Sequence, residues 1–295
     1  MNPSAVPDDP PPRGREADLE RQVSSLVHAV SELGSLARDT QDRLEAVEAE
    51  LRSLQARGRS GYDGDGWGPR FAAIYADFTD HFRGSTAEVS AKLEGYLPDA
   101  QRLAGDGGVV DLGCGRGEWL TLLRAAGVSA RGVDANPAFV AAGRACGLDM
   151  ELGDALRYLQ ALQPDSVDMV TAFHVIEHLD TEELLALLEA ARGALRPGGC
   201  LLLETPNPTN LVMAACDFYN DPTHRSPLPP ALTEYLLSTQ GFGNVEVRPL
   251  HPKTSPLVPS GDGDACAEVQ ELVAQALFGP QDYAALGYKP AAETR

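Results

Sequence analysis

From residue 108 onward, short apolar runs alternate with amphipathic helical ones, and that alternation leaves few folds open. Strand-like segments stand at 108–112, 129–133, 148–152, 167–173, 199–204, 244–249 and 283–288. Helical patterns fall between them near 116–126, 137–146, 154–162, 181–194 and 229–240. Strands separated by helices predict an α/β architecture, a doubly wound parallel sheet. The interval 250–282 is too long for a hairpin and predicts its own short helix near 267–278. Upstream, Phe71, Ile74, Tyr75, Phe78 and Phe82 recur at helical spacing, and a second helix is expected before Pro98.

The first strand carries the first chemistry. Val109-Val110-Asp111-Leu112 runs into Gly113-Cys114-Gly115-Arg116-Gly117 and then into a helix beginning Glu118-Trp119-Leu120. Glycines at such a turn let a ligand approach the backbone closely. A dinucleotide fingerprint would place glycine where Glu118 stands, and the carboxylates of Glu118 and Asp111 repel a pyrophosphate. A cationic ligand suits the loop better, and plain strand–helix punctuation is the alternative. Asp134 ends the second strand, where an acid can accept hydrogen bonds from both ribose hydroxyls or cap the helix at Pro137. Asp154 ends the third, able to meet an adenine amino group or to cap a helix. Taken together at one sheet edge, these acids describe a nucleoside site.

The successive segments DLGCGRGEWL, GVDANP, GDALRYL, VDMVTAFHVIEHL and LRPGGCLLLETPNP resemble the motifs of class I S-adenosylmethionine-dependent methyltransferases over about residues 105–250. The resemblance implies a Rossmann-like seven-stranded sheet of order 3-2-1-4-5-7-6, with the last strand antiparallel. It implies S-adenosylmethionine as cofactor and S-adenosylhomocysteine as product. The Gly113–Gly117 loop, with Asp111 and Cys114, would hold the methionyl part, Asp134 and Ala135 the ribose, and Asp154 and Ala155 the adenine. Phe173 and His174 would border the sulfonium. Three further pieces, from Tyr75 to Ser85, from Phe218 to Pro229, and FGPQDYAALGYKP at 278–290, are similar to bacterial methyltransferases of surface-polysaccharide clusters, including those that terminate O-antigen chains. Thr79 departs from the acidic residue expected there. This narrower resemblance implies a sugar hydroxyl or phosphate as acceptor, with Tyr75, Arg83, Asn207, Tyr219 and Arg225 contacting it. Arg83 and Arg225 could equally meet the methionyl carboxylate.

A sugar hydroxyl profits from a general base near neutral pKa, which points to histidine. His174 and His178 leave the end of the fourth strand, and His224 sits in the Pro-rich loop DPTHRSPLPP; these three are the candidate bases. His28, in the heptads, and His251, after the sixth strand, are expected at the surface. A divalent metal on His174, Glu177 and His178 is the competing arrangement, although their spacing is no standard zinc pattern.

Ahead of all this, residues 1–16 read as a disordered leader. Residues 17–57 carry heptads with Val23, Val30, Ala37, Leu44 and Leu51 at a and Leu19, Leu26, Leu33, Thr40, Val47 and Leu54 at d. Such a seam predicts a self-associating coiled coil, a parallel dimer or, because Val27 and Leu36 widen the apolar face, a trimer. Residues 58–70 form a Gly-rich linker, and 71–295 the methyltransferase domain with its N-terminal helical cap. A net charge of −19 excludes nucleic acid, which needs clustered Lys and Arg. No adenine-clamping Asn/Asp-Pro-Pro-aromatic segment follows the fourth strand, no apolar run reaches transmembrane length, and five cysteines show no metal or redox spacing. A cytoplasmic enzyme follows, peripheral to the inner membrane only through a partner such as a glycosyltransferase. The rival readings are a lipid- or quinone-type O-methyltransferase and a non-catalytic assembly protein that binds S-adenosylmethionine.

Overall fold

The computed structural model of the protein describes residues 68–256 and 265–291. The expected leader, the heptads with His28 and most of the Gly-rich linker lie outside the described residues.

Seven strands form one sheet: β1 (Val109–Leu112), β2 (Ala130–Asp134), β3 (Met150–Leu152), β4 (Val167–Phe173), β5 (Leu195–Pro206), β6 (Gly243–Pro252) and β7 (Pro280–Tyr288). Their order is β3-β2-β1-β4-β5-β7-β6. β7 runs antiparallel to both neighbours, and the pairs from β3 to β5 are parallel. The fold expected from the motif order is therefore the fold observed. The central strands are buried on both faces, and alternate side chains feed two cores. Val110, Leu112, Val170, Ala172, Leu201, Leu203 and Ala285 belong to one. Val109, Met169, Phe173, Cys200, Leu202, Ala284 and Leu286 belong to the other.

The helices are α1 (Pro69–Phe82), α2 (Thr86–Leu93), α3 (Leu97–Leu103), α4 (Glu118–Ala125), α5 (Pro137–Ala145), α6 (Ala155–Ala161), α7 (Thr181–Ala194), α8 (Leu211–Ala215), α9 (Pro230–Thr239) and α10 (Ala265–Phe278). α7 starts on a full capping box, in which Asp180 accepts from the Glu183 N–H and Glu183 from the Asp180 N–H. The second helix expected before Pro98 is α2. A 3₁₀ turn, Glu94–Tyr96, leads into α3, and Pro98 occupies its first turn, where no N–H is required. Thr79 is buried and its hydroxyl donates to the Tyr75 carbonyl at 2.8 Å, a place where a carboxylate would be costly. Among the described residues, no helix is long and apolar enough to cross a membrane.

Candidate active site

The Gly loop after β1 depends on backbone that only glycine adopts without strain: φ is 61°, 53° and 81° at Gly113, Gly115 and Gly117. A Cβ on Gly113 would also stand 2.6 Å from Val175 Cγ2. Cys114 is buried, and its side chain packs so close to Gly132 that no Cβ would fit there. Asp134 holds the loop from β2. Its two carboxylate oxygens accept from the Gly115 N–H at 2.8 Å and the Asn136 N–H at 2.7 Å. Burial nevertheless raises its pKa, against those two hydrogen bonds and the nearby Arg83. Asp111 is buried and accepts the Thr171 hydroxyl at 2.7 Å. Burial, with the charges of Asp134 and Glu118, pushes its pKa up to about 8. Glu118 is met by Arg116 at 2.6 Å, whose guanidinium also donates to the Gly84 carbonyl.

Two more contacts bring the segment around α1 onto this edge. Arg83 donates to the His174 carbonyl at 3.1 Å, and the Asn136 amide donates to the Ala72 carbonyl at 3.0 Å. Ala135 is half-buried beside Asp134. Asp154 is exposed and caps α6 by accepting the Arg157 N–H at 2.9 Å; Ala155 opens that helix. Phe173, buried at the end of β4, packs edge-on against Trp119.

The histidines gather at the same edge, past β4 and β5. His224 Nδ1 lies 2.6 Å from the Phe218 carbonyl, which can only accept, so the hydrogen sits on Nδ1 and Nε2 carries the lone pair. Nε2 faces Glu177 Oε1 and Asp221 Oδ2, each at 3.9 Å. Burial lowers the pKa of His224 and outweighs the upward pull of those carboxylates. The ring of His178 stands 4.7 Å from that of His224. Thr223 gives its one hydroxyl hydrogen to Asp221 at 2.5 Å, so His178 Nδ1, 2.8 Å away, donates to Thr223. Asp221 also accepts the Tyr75 hydroxyl at 2.8 Å, tying α1 to the loop of His224. The same carboxylate and burial raise the Tyr75 pKa, burial being the larger cause.

His174 is different. Its backbone is left-handed, with φ 56°. Nδ1 lies 3.1 Å from Glu177, and Nε2 3.5 Å from Glu204 and 3.9 Å from Asp282. Burial alone would depress its pKa, but the hydrogen bonds to Glu177 and Glu204 win and raise it well above the ordinary histidine range. Glu177 is lowered in turn, its burial overcome by the same contact. With both ring nitrogens turned toward carboxylates, His174 offers a substrate no open lone pair as placed, unlike His224, and is the weaker candidate for the base.

Three other expectations change. Arg225 turns outward, its side chain 52% exposed, and bridges Asp180 at 3.3 Å and Glu183 at 3.0 Å. Asn207 is buried and fully engaged: its amide donates to the Pro280 carbonyl, and its oxygen accepts from the Thr209 N–H and hydroxyl. Neither is free to meet an acceptor as placed. His251 is no surface histidine; it is only 21% exposed and hydrogen-bonds Asp282 at 2.9 Å. Tyr219 is exposed, stacked edge-on against Phe218. Sequence reasoning also passed over Glu204, Asp282 and Asp221, each from a different segment and unremarkable in its own. Among the described residues two groups bring three metal-competent atoms within 4.8 Å of one another. These are Glu177, His178 and His224, and His174, Glu204 and Asp282; the expected set of His174, Glu177 and His178 is neither.

Comparison with known proteins bears on this arrangement. Residues 83–247 match a family model described as a methyltransferase domain. A SAM dependent methyltransferase from Archaeoglobus fulgidus is 32% identical, with a TM-score of 0.67, covering 73% of this chain and 99% of that one. A ubiquinone biosynthesis O-methyltransferase of Xanthomonas campestris pv. campestris is 32% identical over 111 residues, 36% of this chain and 46% of that protein. The chain thus spans about half the length of the curated relatives it matches. A phosphoethanolamine N-methyltransferase of Haemonchus contortus, 17% identical with a TM-score of 0.50 over 73% of this chain and 60% of that one, shares the fold alone. With the family model matched along more than half of its length, the chain belongs to the methyltransferase-domain family, as a class I S-adenosylmethionine-dependent methyltransferase.

Proposed function

We propose that the protein transfers the methyl group of S-adenosylmethionine to a hydroxyl oxygen of a polar, sugar-like acceptor, with His224 as the general base. The observation that carries this is the state of His224: its Nδ1–H is committed to the Phe218 carbonyl, and its free Nε2 stands between two carboxylates. The donor would lie along the edge formed by Asp111, the Gly113–Gly117 loop, Asp134 and Asp154, with its sulfonium near Phe173. An acceptor O–H placed between sulfonium and Nε2 gives its proton to Nε2 as the O–CH₃ bond forms and the C–S bond breaks. Neutral S-adenosylhomocysteine leaves. Alignment for this in-line displacement is the main task, and Glu177 and Asp221 stabilise the imidazolium it creates. His178, fixed by Thr223, packs beside the base and orients it.

The acceptor side beside His224 carries the carboxylates of Glu177 and Asp221, both buried. That density of acid disfavours a phosphate acceptor and suits a hydroxylated, uncharged or cationic one. The motif resemblance supports a surface glycan, one capped by the methyl group, with residues 17–57 as a self-associating coil that meets a glycosyltransferase. A quinol-type acceptor is the second reading, favoured by the ubiquinone relatives. The test is methyl transfer by wild type and His224→Gln to glycan, sugar phosphate and catechol acceptors. We expect turnover on a hydroxyl to fall by about 10²–10⁴ in the variant. Retention of turnover within a few-fold on every acceptor would remove His224 as base.

A further inference from the structure

We propose that His174 Nε2, Glu204 Oε1 and Asp282 Oδ1 form a binding site for a divalent transition ion of the Mn²⁺ or Zn²⁺ kind, apart from the base at His224. The antiparallel insertion of β7 creates the site. It sets Asp282 opposite Pro206 of β5 and Leu250 of β6, and Glu204 opposite Ala284. β4 delivers His174, whose N–H donates to the Glu204 carbonyl at 2.8 Å. The three donor atoms lie within 4.8 Å of one another, with Nε2 3.5 Å from Glu204 and 3.9 Å from Asp282. Around an ion with bonds of about 2.0–2.2 Å, adjacent ligands stand about 3–3.5 Å apart, so the two distances from His174 Nε2 need to close by no more than roughly half an ångström to ~1 Å.

The outer contacts are those of a ligand shell. Metal-bound imidazoles and carboxylates are ordinarily held by a hydrogen bond on the atom that does not face the ion. Here all three are. Glu177 holds His174 Nδ1 at 3.1 Å and is itself fixed by the Thr205 hydroxyl at 3.0 Å. The Tyr96 hydroxyl donates to Glu204 Oε2. His251 meets Asp282 Oδ2 at 2.9 Å. The neighbouring group of Glu177, His178 and His224 lacks this pattern, because both oxygens of Glu177 are already committed, to His174 and to Thr205. One imidazole and two carboxylates, with no thiolate, suit a borderline ion. His174 faces both buried carboxylates, and an ion bound there takes the place of its Nε2 proton, which is released to solvent. The side chain of His174 is 26% exposed, which leaves a way in. Bound there, the ion would tie together the ends of β4, β5 and β7 and, through Glu177, steady the wall on which His224 rests. The site does not depend on which acceptor the enzyme uses.

The test is a titration of chelator-treated full-length protein with Mn²⁺, followed by electron paramagnetic resonance of the free ion. We expect the free-ion signal to stay suppressed up to one equivalent per chain and to return when Zn²⁺ is added. Glu204→Gln and Asp282→Asn, each shown folded by circular dichroism, should weaken binding at least about tenfold, whereas His224→Gln and His81→Gln leave it unchanged. A wild-type protein that leaves the Mn²⁺ signal undiminished and takes up no Zn²⁺ by calorimetry overturns the proposal, however the variants behave. So does binding lost in His224→Gln and kept in Asp282→Asn. Because the readout is ion uptake, failure here leaves the assignment of the base standing, and loss of turnover in His224→Gln leaves the ion site standing.

Discussion

Replacing Asp221 by Asn tests the electrostatics of the base most sharply. Asp221 Oδ2 stands 3.9 Å from His224 Nε2, and the amide keeps the shape of the side chain while losing its charge and one of its two acceptor oxygens. At that separation a unit charge interacts by about 4 kcal/mol at an effective dielectric of 20. Relaxation and the residual dipole of the amide leave roughly a third to a half of this, so the His224 pKa falls by about 1 to 1.5 pH units. The sign follows from the chemistry. A carboxylate favours the imidazolium, its removal disfavours it, and burial already holds His224 below the ordinary histidine value. Since the base works unprotonated, the acidic limb of kcat/KM should move to lower pH. The plateau should fall by ~3–10-fold, because a weaker base accepts the proton less readily. The assay is the kcat/KM profile from about pH 5 to 8 for wild type, Asp221→Asn and Tyr75→Phe. Tyr75→Phe removes the hydrogen bond to Asp221 without its charge, so its limb should stay in place. A limb that stays or rises in Asp221→Asn would show that Asp221 does not set the basicity of His224.

Three further outcomes are expected. Gly113→Ala should cost about 1–2 kcal/mol for the left-handed backbone alone, and the Cβ at 2.6 Å from Val175 adds to that; calorimetry with S-adenosylhomocysteine should show donor-site affinity reduced at least tenfold. Affinity for the cationic donor should rise as pH passes upward through about 8, where Asp111 ionises, and Asp111→Asn should flatten that dependence in binding measured against pH. Arg225→Ala should leave turnover within twofold and shift the unfolding free energy by less than about 1 kcal/mol, as an exposed ion pair does; a large rise in KM would return Arg225 to the acceptor site.

The sheet and the donor edge were legible because their signals are local. β1, β2 and β3 each end in their own glycine or acid, and Asp180 with Glu183 marks the start of α7 three residues apart. The acceptor side was only half legible. His224 stood out in a Pro-rich loop that gave an imidazole no other purpose. Its partners did not, because Tyr75 reaches Asp221 across 146 positions. Glu204, His251 and Asp282 converge only through the antiparallel pairing of β7 with both β5 and β6. Loop sequence likewise could not say that Arg225 would turn toward the cap of α7, nor that Asn207 would spend its amide on the strand end at Pro280. Charges and amides in loops are assigned by what the fold brings near them, and composition carries none of that.

Transfer to a hydroxyl by a histidine base is read most directly from the position of the transferred group. Purified protein, deuteromethyl-labelled S-adenosylmethionine and surface glycan from a strain lacking the protein should yield, by mass spectrometry, label on a sugar hydroxyl oxygen, and the His224→Gln variant should yield almost none. Label on a phosphate, or equal labelling by the variant, would rule out hydroxyl methylation with His224 as base.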